Sequence, residues 1–343
     1  MDISIDMLNV GNADAIIIWY REGNTDAVLF IDGGNEKDGE AVVKHYEAYI
    51  SPYISSTSPI LVINTHPHKD HIGGLQYLVN YFKNRISVFY INNPSEYLTT
   101  FNKSTIESYF TKYGAKNSTI KAIYESLNDS ISLLDLIDSY GIKRSTYFSD
   151  LDLGHSLFKI KGPSMDFYTK QIQYFANSSN LEKIASSILS EDVVNDVLES
   201  VTPCKILDEK NDDNAENLSS AIIELTDSYN KNYLFTSDAS VDSFISSLEN
   251  GISYSNYKIV QLPHPASRRN INSNLIKLFN PNQYWVSANG DSKHPRKAVL
   301  ECVKKNLPGC KIYSTHKGGT KHINSNNAMF PERPGWTTAV SLI

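Results

Sequence analysis

Along the first hundred residues, short apolar runs and the alternation of Met1–Met7 mark strands, and stretches of helical spacing separate them. Residues 2–10, 14–20 and 26–32 predict three consecutive strands. Ile16-Ile17-Ile18-Trp19-Tyr20 and Ala27-Val28-Leu29-Phe30-Ile31 supply the β-branched and aromatic side chains that suit a pleated, half-buried surface. Residues 38–50 predict a helix, 59–64 a buried strand and 86–91 another strand. Between these strands, Ile72, Leu75, Leu78, Val79 and Phe82 recur at helical spacing. The pattern then changes character. Ser104-Thr105-Ile106-Glu107 reads as a capping box opening a helix that Gly114 closes. Ile120, Ile123, Tyr124, Leu127, Ile131 and Leu134 trace one helical face before a stop at Gly141. This helical block, approximately 95–145, is longer than an ordinary connection and reads as an insertion. It suits a lid, a substrate platform, or a surface for a protein partner or a second copy. A second mostly helical segment covers approximately 165–200. Strands are predicted again at Leu157–Lys161, at Tyr233–Thr236 and at Ile259–Leu262. Pro295 suits the first turn of a helix running to Asn306.

The 343 residues, 41% hydrophobic and 20% charged, have the balance of an ordinary water-soluble globular protein. No apolar run approaches the ~20 residues that span a bilayer, so no membrane association is expected. Met1-Asp2-Ile3-Ser4-Ile5-Asp6-Met7 alternates like a strand and has no basic leader, which argues against a signal peptide. Cys204, Cys302 and Cys310 are too few and too scattered for a disulfide framework or a C-x-x-C site. Together these features predict a cytoplasmic location. Charge changes the picture further. Tyr257–Ile343 holds 13 Lys and Arg against 3 Asp and Glu, a balance of +10, whereas the whole chain carries −6 and residues 1–256 therefore −16. A basic quarter of this kind is either a solvated face or a surface for an anionic substrate.

The densest chemistry lies in Thr65-His66-Pro67-His68-Lys69-Asp70-His71-Ile72-Gly73-Gly74, at a strand-to-helix turn. Three histidines and one aspartate fall in the pattern H-x-H-x-D-H, and imidazole with carboxylate is the usual ligand set of zinc and related divalent ions. His66 and His68 point the same way from an extended segment and can share one ion. Asp70 and His71, one turn further on, can face a second.

This stretch resembles the H-x-H-x-D-H signature of the metallo-β-lactamase fold superfamily, in particular the branch typified by the soluble domain of ComEC competence proteins. Other segments extend the likeness. In Asn9-Val10-Gly11-Asn12-Ala13-Asp14-Ala15, Gly11 and Asp14 match the branch's turn, while Asn9, Asn12 and Ala13 depart from it. Ile31-Asp32-Gly33-Gly34 is similar to its I-D-x-G. Ser237-Asp238-Ala239 matches its G-D with Ser237 in place of glycine. In Pro263-His264-Pro265-Ala266-Ser267, His264 and Ser267 match its P-H-H-G-S, but Pro265 and Ala266 do not. Trp285–Gly290 with His294-Pro295 is similar to its S-x-G…G-H-P element. Pro163 and Ser164 stand where members with two complete metal sites commonly carry a histidine, and His155 lies at the opposite end of that strand.

The resemblance implies one α/β domain over 1–343, a four-layer αββα sandwich with a helical insertion. It implies one or two divalent ions, zinc or manganese, held by His66, His68, Asp70, His71, Asp238 and His264, with Asp32 supporting a ligand histidine. Asp70 is the implied catalytic group that orients or deprotonates the nucleophile. His294 either contacts a phosphate or leaving group or caps its helix. Asp14, Ser267, Arg268 and Arg269 are assigned to substrate binding. A divalent ion lowers the pKa of bound water to about 7, so hydrolysis is the expected reaction. Three functions compete. The first is a phosphodiesterase or nuclease acting on a nucleotide or single-stranded nucleic acid, favoured by the basic quarter. The second is hydrolysis of a lactone, thioester or β-lactam. The third is a metal-binding interaction module.

Overall fold

Strands β1 (Asp2–Met7), β2 (Ile16–Glu22) and β3 (Thr25–Ile31) form an antiparallel meander at the start of the chain. They belong to a computed structural model that describes residues 1–175, 177, 180–181, 196–209, 211–212, 214–249, 251–252, 257–290, 294–326, 329–333 and 341–342. The tight connection between β2 and β3 carries Gly23 at φ +59°, a conformation that glycine adopts without strain. Then follow β4 (Ile60–Ile63), β5 (Ile86–Tyr90), β6 (Arg144–Ser145), β7 (Lys159–Gly162), β8 (Ile222–Thr226), β9 (Asn232–Phe235), β10 (Tyr257–Gln261), β11 (Gln283–Val286), β12 (Lys311–Ser314) and β13 (Lys321–Asn324). One sheet has the order β13-β1-β2-β3-β4-β5-β6 and the other β12-β11-β10-β9-β8-β7. β3, β4, β5 and β6 run parallel, as do β9, β10, β11 and β12. All four residues of β4 are buried, the continuous apolar run of a strand covered on both faces.

β1 shows how alternation builds layers. Ile3, Ile5 and Met7 enter the core between the sheets, with Ile18, Leu29 and Ile63 from the same sheet and Leu225, Phe235, Ile259 and Trp285 from the other. The opposite face of the first sheet, with Trp19, Val28 and Phe30, is covered by α1 (Gly39–Tyr49), by α3 (Leu75–Phe82), which follows the one-turn helix α2 (Lys69–Ile72), and by part of a longer helix. The outer face of the second sheet packs on helices Val241–Leu248, Ser273–Phe279 and Lys297–Asn306. The result is a four-layer αββα sandwich, two facing sheets covered by helices on both outer sides. Core truncations such as Phe30→Ala in these layers are worth ~3–5 kcal/mol each.

The insertion is a helical hairpin of α4 (Thr100–Tyr113) and α5 (Ser118–Ser139). The N-terminal half of α5 packs Ile120, Ile123 and Leu127 against Ile106 of α4 and against Tyr168 and Ile172 of α6 (Met165–Phe175), so the two helical segments share one core. Its C-terminal half sends Leu133, Leu134 and Ile137 onto the first sheet. Ile131, placed on the apolar face by spacing, is instead 41% exposed, because the helix changes partners midway. The α4 cap is also corrected. Thr99 Oγ1 accepts the Asn102 amide at 3.1 Å, and Ser104–Glu107 lie inside the helix. Residues 182–195 of the second segment lie outside the described residues.

Two further corrections concern the C-terminal half. The last long helix starts at Lys297 with Arg296 at its N-cap, two residues after Pro295. Cys204 and Cys302, 98 residues apart, form a disulfide, with Cys310 buried and free. Sequence spacing cannot register such a pairing, and it removes cysteine usage as an argument for a reducing compartment. Among the described residues no helix is long and apolar enough to cross a membrane.

Candidate metal centre

The site forms where strand ends from both sheets meet. β4 runs on through Asn64 and Thr65 into His66, and His68 remains extended (φ −69°, ψ 148°) before α2 begins. Gly73 and Gly74 let α2 and α3 press onto the end of β3. The Gly33 amide donates to the His71 carbonyl at 2.9 Å and the Gly74 amide to that of Gly34 at 3.0 Å. A Cβ on Gly74 would lie 1.9 Å from the Gly33 carbonyl oxygen, so no other residue fits there. The first turn joins the same knot, since the Asp14 amide donates to Asp70 O at 3.2 Å and Gly34 N to Asp14 O at 2.7 Å.

Asp32 sits at the end of β3 with φ +57°, a strained value for a non-glycine residue. Its Oδ1 accepts the Thr65 amide at 2.8 Å, and its Oδ2 accepts Thr65 Oγ1 at 2.5 Å and meets His71 Nδ1 at 2.8 Å. That contact fixes the ring so that Nε2 of His71 faces Asp238. From the second sheet, β9 delivers Ser237 and Asp238, and β10 delivers His264. Ser237 and His264 also have left-handed backbones, φ +48° and +45°. Gln261, the last residue of β10, ties the two sheets together. Its Oε1 accepts the amides of Thr236 (3.0 Å) and Ser237 (3.1 Å), and its Nε2 donates to Asp14 Oδ2 at 2.7 Å.

Asp238 stands at the centre. Its Oδ2 lies 3.6 Å from His66 Nε2 and bonds to His264 Nδ1, and its Oδ1 lies 3.5 Å from His71 Nε2. His66 Nε2 is 3.1 Å from His68 Nδ1, and His71 Nε2 is 3.9 Å from Asp70 Oδ2. The donor atoms of His66, His68 and Asp238 lie within 4.8 Å of one another, as do those of Asp14, Asp32 and His71. His68 Nε2 and Asp238 Oδ1 are buried without a hydrogen-bond partner. Buried polar atoms in native proteins are nearly always paired, so unclaimed lone pairs amid imidazole and carboxylate fit a hard or borderline divalent cation. The side chains of His66, His71 and Asp238 are buried, whereas those of Asp70 and His264 are 36% and 34% exposed, which sets the mouth of the site between them.

Protonation follows from this crowding. Burial drives His66 towards its neutral form, ready to donate a lone pair. Burial opposes charge on His264 as well, but Asp238 wins and lifts it to about 9; Asp238, Asp70 and Asp32 likewise raise His71 well above the ordinary range. Burial would raise Asp238, yet His264 and His71 hold it well below the usual carboxylate range. Burial pushes Asp14 up to about 7 despite His71 alongside.

The remaining expected site residues are placed as follows. Asp14, expected to bind substrate, is buried, with its Oδ2 4.0 Å from His71 Nδ1 and bonded to Gln261. Ser267 is buried, and its Oγ accepts the Arg269 amide at 3.3 Å. Arg268 and Arg269 are half-buried on the loop after His264. The His294 ring lies edge-on to that of His264, centroids 5.7 Å apart. Arg296 occupies the N-cap position of the helix that follows His294. Spacing missed Thr65, Gln261, Asn64, which donates to the His66 carbonyl at 2.8 Å, and Tyr147, whose hydroxyl donates to the Thr65 carbonyl at 2.6 Å. Their one signal was polarity at the end of an apolar strand, visible for Asn64 and Gln261 and absent for Tyr147.

Residues 8–110 match the metallo-beta-lactamase superfamily. The match spans β2–β5, the H-x-H-x-D-H motif and most of α4. No curated protein matches the chain. Among solved structures, the chain is similar to the metallo-beta-lactamase fold protein YhfI from Bacillus subtilis, at 12% identity over 94% of this chain and 100% of that one, with a TM-score of 0.45. It is also similar to AidC, a dizinc quorum-quenching lactonase, at 14% identity over 66% of this chain and 56% of that one, with a TM-score of 0.31.

Proposed function

We propose that this chain is a metal-dependent phosphodiesterase or nuclease, a single domain over 1–343, acting on a nucleotide or single-stranded nucleic acid. The observation that carries the reading is the packing of His66, His68, His71, Asp70 and His264 around Asp238, with His68 Nε2 and Asp238 Oδ1 buried and unpartnered. These residues would hold one or two divalent ions, zinc or manganese. When bound, such an ion makes water acidic enough to attack at neutral pH and stabilises charge on the substrate oxygens. Asp32, through His71 Nδ1, keeps that ring's tautomer and orientation. Asp70, open to solvent, orients the attacking water and takes its proton. Arg268 and Arg269 hold phosphate oxygens, and His294, next to His264, faces the leaving oxygen and holds its proton. The phosphodiester choice is supported by the +10 balance of Tyr257–Ile343 and by the ComEC-like segments at Gly11, Asp14, His264 and Ser267. That β1 pairs with β13, Ser4 opposite Asn324, supports one domain rather than two.

The test incubates the protein with Mn²⁺ or Zn²⁺ and single- or double-stranded DNA, RNA, cyclic nucleotides and a simple phosphodiester. The Asp70→Ala, His71→Ala double variant serves as control. Phosphodiester cleavage lost in the variant supports the reading. Hydrolysis of lactones or β-lactams with every phosphodiester intact overturns it in favour of a non-phosphate hydrolase. Inactivity on both panels with metal bound leaves an interaction module.

A further inference from the structure

The parallel strands β9, β10, β11 and β12 all end on the edge that holds the metal ligands. Their exits deliver Asp238, His264, Ala288-Asn289 and Thr315-His316 in that order across the sheet. The last exit, Thr315-His316-Lys317-Gly318-Gly319-Thr320-Lys321, returns the chain to the first sheet, where Lys321 pairs with Met7 at the end of β1. It therefore bridges the sheets two strands, or about 10 Å, from the strand that supplies His264. Its chemistry is one-sided, with His316, Lys317 and Lys321 and no carboxylate.

The turn is built into the surroundings of the site. Thr315 Oγ1 donates to the Ala288 carbonyl at 3.2 Å, and Thr320 Oγ1 accepts the Asn9 amide at 3.3 Å. Asn12 Oδ1 accepts the Asn289 amide at 2.8 Å, so the turn that leads to Asp14 is joined to the same loops. Ser314 Oγ lies 2.6 Å from His316 Nδ1, and a Cβ on Gly290 would come 2.4 Å from His316 Cδ2, so this ring is held on both sides. Gly318 and Gly319 take φ +77° and +75°, and nothing lies within 4 Å of the place a Gly319 Cβ would occupy. The independent observation is Lys321. The residue is 1% exposed, its ammonium donates to the Lys317 carbonyl, and among the described residues it meets no carboxylate. Its opposite number Met7 packs between the sheets, so the Lys321 side chain enters there too, at the site end. Burial lowers it to about 8. A buried ammonium without a counter-charge is costly, and an anion at the turn would offset that cost.

We propose that the turn Thr315–Lys321 is an anion subsite that holds a phosphate group of the substrate other than the one cleaved. The subsite deepens the phosphodiesterase reading and rests on it. Phosphate oxygens there would meet the ammonium groups of Lys317 and Lys321, the His316 ring and the amides of the diglycine.

The test follows the Gly318 and Gly319 amide resonances of the metal-loaded full chain as inorganic phosphate is added, against chloride at matched ionic strength. Saturable shifts at both glycines are expected, lost in Lys321→Met and weakened about tenfold in Lys317→Ala. Lys317 is exposed, so its variant decides the matter if Lys321→Met does not fold. No saturable shift, or an equal one in Lys317→Ala, overturns the subsite; an unchanged shift in Lys321→Met shows a lysine that only braces the turn, and also overturns it. A second arm compares KM for a 5′-phosphorylated dinucleotide with KM for bis(p-nitrophenyl) phosphate. Lys317→Ala should change the ratio of the two about tenfold. Phosphate binding with an unchanged ratio overturns the assignment to substrate and leaves a site for free phosphate. If neither ester is cleaved, the phosphodiesterase reading fails by itself, and the binding arm still decides whether the turn takes phosphate.

Discussion

On the outer face of the first sheet, Asp6 is buried with His322, His45 and Arg333; at the sheet edges, Asp238 is buried with His66, His71 and His264. Both clusters combine aspartate with histidine, yet their charge balance differs. Asp6 lies in regular strand, opposite His322 in the β1–β13 ladder. Its Oδ1 meets His322 Nδ1 at 2.5 Å, and its Oδ2 meets His45 Nε2 at 3.0 Å and Arg333 Nη2 at 3.2 Å. One carboxylate is thus claimed by three donors, and nothing anionic is left for a metal ion. At the edge, Asp14, Asp32, Asp70 and Asp238 surround the imidazoles, and Asp32, Ser237 and His264 hold left-handed backbones. A saturated carboxylate staples the chain; an excess of them on strained turns makes a receptacle for a cation.

The contrast can be broken by mutation. The largest effect on stability is expected for Asp6→Ala, which leaves Arg333 buried without its partner. A loss of about 3–5 kcal/mol in denaturant unfolding is expected, with metal content per folded chain unchanged. Loss of metal together with stability would erase the distinction between the clusters. His66→Ala should do the reverse, lowering metal affinity at least about 100-fold in a chelator competition while the metal-free chain keeps its stability. Saturating metal should stabilise the wild type and Asp6→Asn but not His66→Ala, by ~2.7 kcal/mol at a hundred times the Kd.

Acid sharpens the comparison at lower cost. Burial alone would raise the Asp6 carboxyl, but hydrogen bonds from His322 and His45 and the charge of Arg333 hold it well below the usual carboxylate range. A depressed folded-state pKa contributes stability above the unfolded value near 4, and that stability is lost as the pH falls towards the folded value. The difference in stability between the wild type and Asp6→Asn should therefore shrink below about pH 4, as urea titrations at stepped pH would show. The smallest effect belongs to an exposed pair. Lys69 Nζ lies 3.2 Å from Glu125 on α5, with the lysine side chain 59% exposed, so Lys69→Ala should cost under ~0.5 kcal/mol. A larger loss in thermal melts would mean that the insertion braces the motif through this contact.

What the sequence determined by itself is local. Alternation at Ile3, Ile5 and Met7, the apolar run Ile60–Ile63 and the spacing of Leu75, Leu78, Val79 and Phe82 depend on neighbours a few residues apart, because backbone geometry sets periods of 2 and 3.6. The His66–His71 cluster was legible for the same reason, all its members lying on one turn. Midway along α5 that logic stopped, since Ile131 faces solvent once the helix leaves one core for another. Only the tertiary structure brought together Gln261 with Asp14, Cys204 with Cys302, and Arg333 with Asp6. It also decided that Ser237 and Ala266, which stand where the resembling pattern has glycine, are held at φ +48° and +60°. Such contacts and strains have no sequence period. They arise where separate strands end on one edge, and the packing of both sheets stabilises conformations that each short segment would reject alone.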